Sequence, residues 1–96
     1  MALAIEWTNE ARYHLDQTIE YLELNWTEKE LVNFFTKLEQ ALSTISEHPE
    51  QHKLSLRKPN TREYQITEHT TLFYSFDDKV VTVLLLWPNR MNPKNL

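Results

Sequence analysis

Six basic residues surround one apolar block and are the side chains best suited to chemistry. Lys53, Arg57, Lys58 and Arg62 lead into the block, and Arg90 and Lys94 follow it. Arginine and lysine gathered at one end of a sheet can hold phosphate oxygens or stabilise charge developing in a transition state. If the last strand of the block ends near where its first begins, Arg62 and Arg90 share one end of that sheet. The competing reading makes these residues solubility charges in loops. The four histidines offer less. His48 and His52 have the spacing of two ligands on one helical face, but Pro49 lies between them and no third ligand is near. They read as solvated loop residues, as do His69 in a turn and His14 on a helix. No cysteine is present, so disulfides and thiol chemistry are excluded. No serine nucleophile motif stands out. The many helical carboxylates read as a solvated face rather than an acid–base pair. No cofactor and no metal is implied. Glycine is absent as well, which removes both kinds of glycine-rich phosphate loop.

The elements that must carry these residues follow from periodicity. The apolar block is three runs rich in β-branched and aromatic residues: Arg62–Thr67, Thr70–Phe76 and Lys79–Trp87. Glu68-His69 and Asp77-Asp78 separate them, which is the pattern of an antiparallel meander with tight turns. Without glycine, Asp77 and Asp78 are expected to tolerate left-handed backbone angles there. Val80 to Trp87 is apolar except for Thr82, so this strand requires cover on both faces. Upstream, Leu3, Ile5 and Trp7 share one face of a short strand. Thr8 is placed to cap a helix over 9–24, with Ala11, Leu15, Ile19 and Leu22 as its apolar stripe. Thr27 and Glu30 form a capping box for a second helix over 28–46, in which Glu30 reaches back to the Thr27 amide. Leu31, Phe34, Phe35, Leu38, Leu42 and Ile45 form its stripe, and His48-Pro49 stops it. The short Asn25-Trp26 break makes the pair an antiparallel hairpin. Leu54 and Leu56 alternate within the polar connector 50–61 and could add a strand.

The order strand, helix, helix, three strands describes a two-layer α+β domain over 1–96, with both helices on one face of an antiparallel sheet. Two helices cover one face only. The other face is expected to expose either Leu84 with Leu86 or Leu85 with Trp87, and periodicity leaves the choice open. Such a patch marks a partner site. Charge is uneven: residues 1–50 carry ten acids against three bases, and residues 51–96 carry four acids against seven bases. The net charge of −4 argues against a dedicated nucleic-acid-binding domain. With no apolar run of membrane-spanning length and no signal peptide, the protein is read as cytoplasmic, with no membrane partner.

At this point the chain resembles the RelE/ParE superfamily of toxins from bacterial type II toxin–antitoxin modules. The resemblance runs through Trp7-Thr8, Ala11, Leu15, Ile19 and Tyr21-Leu22, then Ala41-Leu42, Ile45 and His48-Pro49. It ends with Arg62-Glu-Tyr-Gln-Ile, Leu72-Phe-Tyr-Ser-Phe, Val83-Leu-Leu-Leu-Trp-Pro-Asn-Arg90 and Asn92-Pro93. It implies growth inhibition, a role in plasmid stabilization, and a cognate antitoxin as partner. Leu84, Leu86 and Trp87 are then the candidate antitoxin contacts, and the assemblies open to the complex are a homodimer or a heterotetramer. RelE-like members cleave messenger RNA on the ribosome and place a tyrosine or histidine near the C-terminus as an acid–base group. ParE-like members lack that set and inhibit DNA gyrase by binding. No Tyr or His follows Trp87 in this chain, so general acid–base cleavage lacks its usual proton donor. The ParE-like side is favoured, with Arg57, Lys58, Arg62 and Arg90 as target-binding residues. The alternatives are an mRNA endoribonuclease in which Tyr64 or Tyr74 stands in, and a non-toxic relative that only binds antitoxin.

Overall fold

The structure is a computed structural model that describes residues 2–56 and 58–88. β1 (Ala4–Trp7) enters first, followed by α1 (Asn9–Asn25), α2 (Glu28–Glu47) and one 3₁₀ turn (Pro49–Gln51). β2 (Arg62–Thr67), β3 (Thr70–Phe76) and β4 (Val80–Pro88) complete the order. The predicted succession of elements is present. Both helices lie on one face of a single four-stranded sheet of order β1-β4-β3-β2. The sheet is mixed rather than antiparallel. β2, β3 and β4 form the meander, but β1 runs parallel to β4, with Ala4 beside Val80 and Trp7 beside Val83. A parallel neighbour needs a long crossover, and here the helical hairpin and meander intervene.

Both predicted caps are made. The Thr8 hydroxyl accepts from the Ala11 amide at 3.0 Å and donates to the Leu84 carbonyl at 3.0 Å, while the Thr8 amide donates to the Val83 carbonyl. One residue thus ends β1, starts α1 and grips β4. Thr27 caps α2 by accepting from the Glu30 amide at 3.4 Å. The reciprocal half of the box differs from expectation: the Thr27 hydroxyl itself donates to the Glu30 carboxylate at 3.1 Å. The β3–β4 turn also departs from expectation. Among the described residues Asn60 alone has a positive φ, at 56°. The turn is closed instead by the Asp77 carboxylate, which accepts from the Lys79 and Val80 amides at 2.8 Å each. Those two hydrogen bonds favour the charged form and hold the Asp77 carboxyl below its ordinary range. An aspartate side chain can close a turn that lacks glycine without strain.

The core joins Ala11 of α1 and Phe34, Leu38, Ala41 and Ile45 of α2 to Ile66, Leu72, Tyr74, Val81, Val83 and Leu86 of the sheet. β4 changes parity part-way along. Phe73 pairs with Leu85 but Tyr74 pairs with Val83, so Leu84 is an extra residue, a β-bulge. Val81 and Val83 point inward before it and Leu86 after it. The candidate partner set is therefore split. Leu86 is a core residue at 2% exposure, whereas Leu84 and Trp87 are half-buried. The expected exposed apolar face on β4 is not seen. Phe73, on the face away from the core, is itself buried, and Leu85 beside it is half-buried. Apart from Phe76 at the end of β3, the exposed large apolar side chains lie on the helices and the connecting segments: Tyr13, Leu24, Trp26, Val32, Leu54 and Leu56 are among them. Among the described residues of the 50–61 connector no strand forms, only an isolated bridge between Leu54 and Arg62.

Ile45 has no exposed surface and sits in this cluster. Ile45→Ala is expected to cost about 2–5 kcal/mol, from lost burial and the cavity left behind. Urea denaturation followed by circular dichroism measures it, with a lowered midpoint and an unchanged slope.

Candidate functional site

The basic cluster is built on the first residue of β2. Arg62 lies opposite Tyr74 of β3. Its guanidinium donates to the His52 carbonyl at 2.6 Å and its carbon lies 5.7 Å from the Phe76 ring centroid. A cation over an aromatic face is held by the ring quadrupole as well as by the hydrogen bond. The connector is fastened to β2 at further points. The Glu63 amide donates to the Lys53 carbonyl at 2.8 Å, and the Ser55 amide to the Thr61 carbonyl at 2.7 Å. Pro59-Asn60 turns the chain back, with asparagine tolerating the left-handed angle that most residues avoid.

Beneath Arg62 the Tyr74 side chain is fully buried, and its hydroxyl donates to the Pro49 carbonyl at 2.6 Å. Burial pushes the phenol up to about 12, with the Arg62 charge opposing. Tyr74 thus ties the end of the helical hairpin to the sheet. As a stand-in proton donor it fails, because its hydroxyl is occupied and its pKa lies far from neutrality. Tyr64, two residues after Arg62 on the same side of β2, is half-buried. It meets the His52 ring edge-on at 4.9 Å between centroids.

His52 is the residue that sequence reasoning missed. It is half-buried rather than solvated. Its pKa is lowered, first by burial and then by the charges of Arg62 and His48, with Glu50 opposing. Its Nε2 atom is buried without a hydrogen-bond partner among the described residues. With Gln51, Lys53, Glu63, Tyr64, Gln65 and Thr71 it lines an open cleft of about 390 Å³ beside β2. The alternation of Leu54 and Leu56 was the available signal. Antiparallel pairing of the connector with β2 places His52 and Leu54 alongside Arg62 and Tyr64. His14 is also less exposed than expected. Its Nδ1 accepts from the Leu86 amide at 3.3 Å, where β4 runs past the end of β1. His69 remains a surface residue in the β2–β3 turn, 3.3 Å from the Glu68 carboxylate.

Of the four predicted target-binding residues, Arg57 and Arg90 lie outside the described residues, Lys58 is exposed in the connector, and Arg62 is half-buried. The premise that β4 ends where β2 begins is overturned. In a meander the first and third strands run the same way. Arg62 sits across from Tyr74 and Val83, whereas Thr67 sits across from Thr70 and Pro88. β4 therefore ends beside the β2–β3 turn, five residues of strand from Arg62, or about 16 Å. Among the described residues no group of three or more His, Cys, Asp or Glu is placed to hold a metal ion. No helix among them is long and apolar enough to cross a membrane.

The family model described as the ParE toxin of the type II toxin–antitoxin system parDE matches residues 5–93. The chain belongs to this toxin family. It is the toxin of a type II toxin–antitoxin module. No curated protein matches the toxin in sequence. Its fold is shared with solved structures. A chain of the chromosomal ParDE system of P. aeruginosa superposes with a TM-score of 0.75 at 12% identity, covering 91% of the toxin and 96% of that chain. A chain of the E. coli DinJ-YafQ complex gives 0.64 at 11%, covering 97% and 99%. A chain of the M. tuberculosis RelBE2 complex gives 0.63 at 20%, covering 92% and 99%. These likenesses establish the fold that ParE- and RelE-named proteins have in common.

The lowered pKa of His52 has a signed consequence. Its folded value lies below the unfolded one, so the unfolded state binds its proton first as pH falls. The His52 contribution to stability is fully present above about pH 6.5 and is lost progressively below it. His52→Gln is expected to flatten this decline between pH 7 and 5, read from urea midpoints. Tyr74→Phe leaves the buried Pro49 carbonyl without its donor and is expected to cost about 1–3 kcal/mol, measured in the same titrations at pH 7.5.

Proposed function

We propose that the toxin arrests growth by binding and inhibiting DNA gyrase without covalent chemistry, and that a cognate antitoxin neutralises it. The observation that carries this reading is the ParE family match over residues 5–93. The site supports it. The Tyr74 hydroxyl is locked onto Pro49 and Arg62 is already engaged by His52 and Phe76. These groups brace a surface rather than attack a substrate. Arg57, Lys58 and Arg90 are the proposed target contacts, with Arg62 holding the connector near Lys58. Structural relatives solved within toxin–antitoxin complexes support the antitoxin as partner. A role in plasmid stabilization follows from the same reading.

The test is inducible expression without antitoxin, with pulse labelling of DNA and protein synthesis. DNA synthesis is expected to fall first while protein synthesis persists, and the purified toxin is expected to inhibit gyrase supercoiling. Arg90→Ala and Lys58→Ala are each expected to weaken that inhibition about tenfold or more, the loss of one charged contact, with an unchanged urea midpoint. Immediate arrest of protein synthesis with active gyrase sinks the proposal.

One observation favours a second reading, ribosome-dependent cleavage of mRNA. His52 is biased toward its neutral form and lines a cleft with Lys53 and Tyr64. A neutral imidazole beside a cation can accept a proton from an attacking hydroxyl. Under that reading His52→Ala abolishes translation arrest. Under the gyrase reading it leaves supercoiling inhibition intact.

A further inference from the structure

Leu84 to Pro88 of β4 runs beyond the end of β1, and two side-chain hydrogen bonds stand where a longer β1 would have paired. The Thr8 hydroxyl donates to the Leu84 carbonyl at 3.0 Å, and His14 Nδ1 accepts from the Leu86 amide at 3.3 Å. The second bond fixes the protonation of the ring. Nδ1 has to be bare to accept, so the imidazole is neutral and keeps its proton on Nε2. Nε2 stands 4.0 Å from the Glu10 carboxylate, one turn earlier on α1. The His14 side chain is 26% exposed, so a proton reaches it from solvent. A threonine hydroxyl does not change charge near neutrality, whereas an imidazole does. Of the two fasteners, only the histidine is undone by acid.

We propose that His14 is a pH-sensitive latch on the end of β4: neutral, it holds the Leu86 amide; protonated, it releases Leu86 and pairs with Glu10. With a proton on Nδ1 the ring sets a donor against a donor. Leu86 is a core residue at 2% exposure. A buried amide without an acceptor is costly, so this end of the strand separates from α1 until water takes the amide. The imidazolium gains the Glu10 carboxylate in exchange, an exposed and screened pair that offsets part of the cost. The surroundings of the ring leave this exchange to Glu10. Elsewhere on α1, the Tyr13 ring lies 6.3 Å away, and Arg12 and Asp16 are exposed. β4 has no titratable side chain between Val80 and Pro88, and β1 has only Glu6, on the face opposite Ile5 and Trp7. α2 brings Glu28, Lys29, Glu30, Lys37, Glu39 and Glu47; Glu30 is held by the Thr27 hydroxyl and the others are exposed. The opening is local, because Thr8 still holds Leu84 and β3 still pairs with β4 as far as Pro88. Acid thereby turns a sealed sheet edge into one with free backbone groups. The latch does not depend on whether gyrase or the ribosome is the target.

The test is amide exchange followed by nuclear magnetic resonance on the whole toxin, each rate divided by its intrinsic value at the same pH. Leu86 is expected to lose about tenfold or more of its protection between about pH 7.5 and 5.5, the range over which histidines change charge. The Thr8 amide, which donates to the Val83 carbonyl at 3.0 Å, is expected to stay level. That control separates the latch from the general loss of stability that His52 brings on in acid. His14→Asn puts an amide oxygen in place of Nδ1 and should keep Leu86 protected at both ends of the range. His14→Ala should leave it unprotected throughout. Glu10→Gln should move the fall in Leu86 protection to lower pH, because the attraction favouring the charged ring is gone. Thermal melts confirm that the variants fold. Level Leu86 protection in the wild type, a fall that survives in His14→Asn, or an equal fall at Thr8 overturns the proposal.

Discussion

The parallel pairing of Ala4–Trp7 with Val80–Val83 is the constraint on which the rest of the structure depends. It makes β4 an interior strand, hydrogen-bonded on one side to β1 and on the other to β3. Interior position explains why nearly every residue from Val80 to Trp87 is apolar. It also sets where the helices lie, because the chain leaving β1 at Trp7 turns at once into α1 and must return over the same face. β1 is four residues long, so the later half of β4 runs beyond it. There the edge is closed by the cap of α1 and a side chain within it: the Thr8 hydroxyl donates to the Leu84 carbonyl, and His14 Nδ1 accepts from the Leu86 amide. Side chains from a helix thus complete a sheet that backbone pairing leaves unfinished, which satisfies groups that an open edge would leave as a template for aggregation.

Much of this was legible in the residues. Local signals were strong: Thr8 and Thr27 are caps at the positions that spacing assigned, and β1 shows Leu3, Ile5 and Trp7 on its inner side. The RelE/ParE resemblance led to the correct family, since its evidence was the order of elements. Non-local facts were not legible. Nothing within Leu3–Trp7 states which strand it will pair with, or in which direction. The bulge at Leu84 was hidden for a related reason. In a run of uniformly apolar residues, a one-residue change of register leaves no mark in the pattern, yet it sends Leu86 to the core. Candidate contacts drawn from that run could not be sorted by face.

The site was legible in composition and misread in geometry. Arg62 was identified as a key base, and it is the hub of its corner, but its guanidinium grips the connector and a phenylalanine ring. Its place relative to the end of β4 depended on strand direction, which a meander fixes only once all three strands are counted. Sequence reasoning misses His52 because a histidine in a polar connector usually is solvated. Its burial comes from Tyr64 and Tyr74, residues ten or more positions away, brought close by the return of the connector along β2.

Thr8 closes its hydrogen bonds with residues 75 and more positions further along the chain. Protein is synthesised from one end, at roughly 5–20 residues per second. For several seconds after β1 and α1 are made, β4 does not exist. In that interval β1 has no neighbour, the first helix has no sheet beneath it, and Leu3, Ile5 and Trp7 are open to solvent. The activity of the finished toxin therefore has to wait for the last strand made, because the fold closes only when β4 takes its place between β1 and β3.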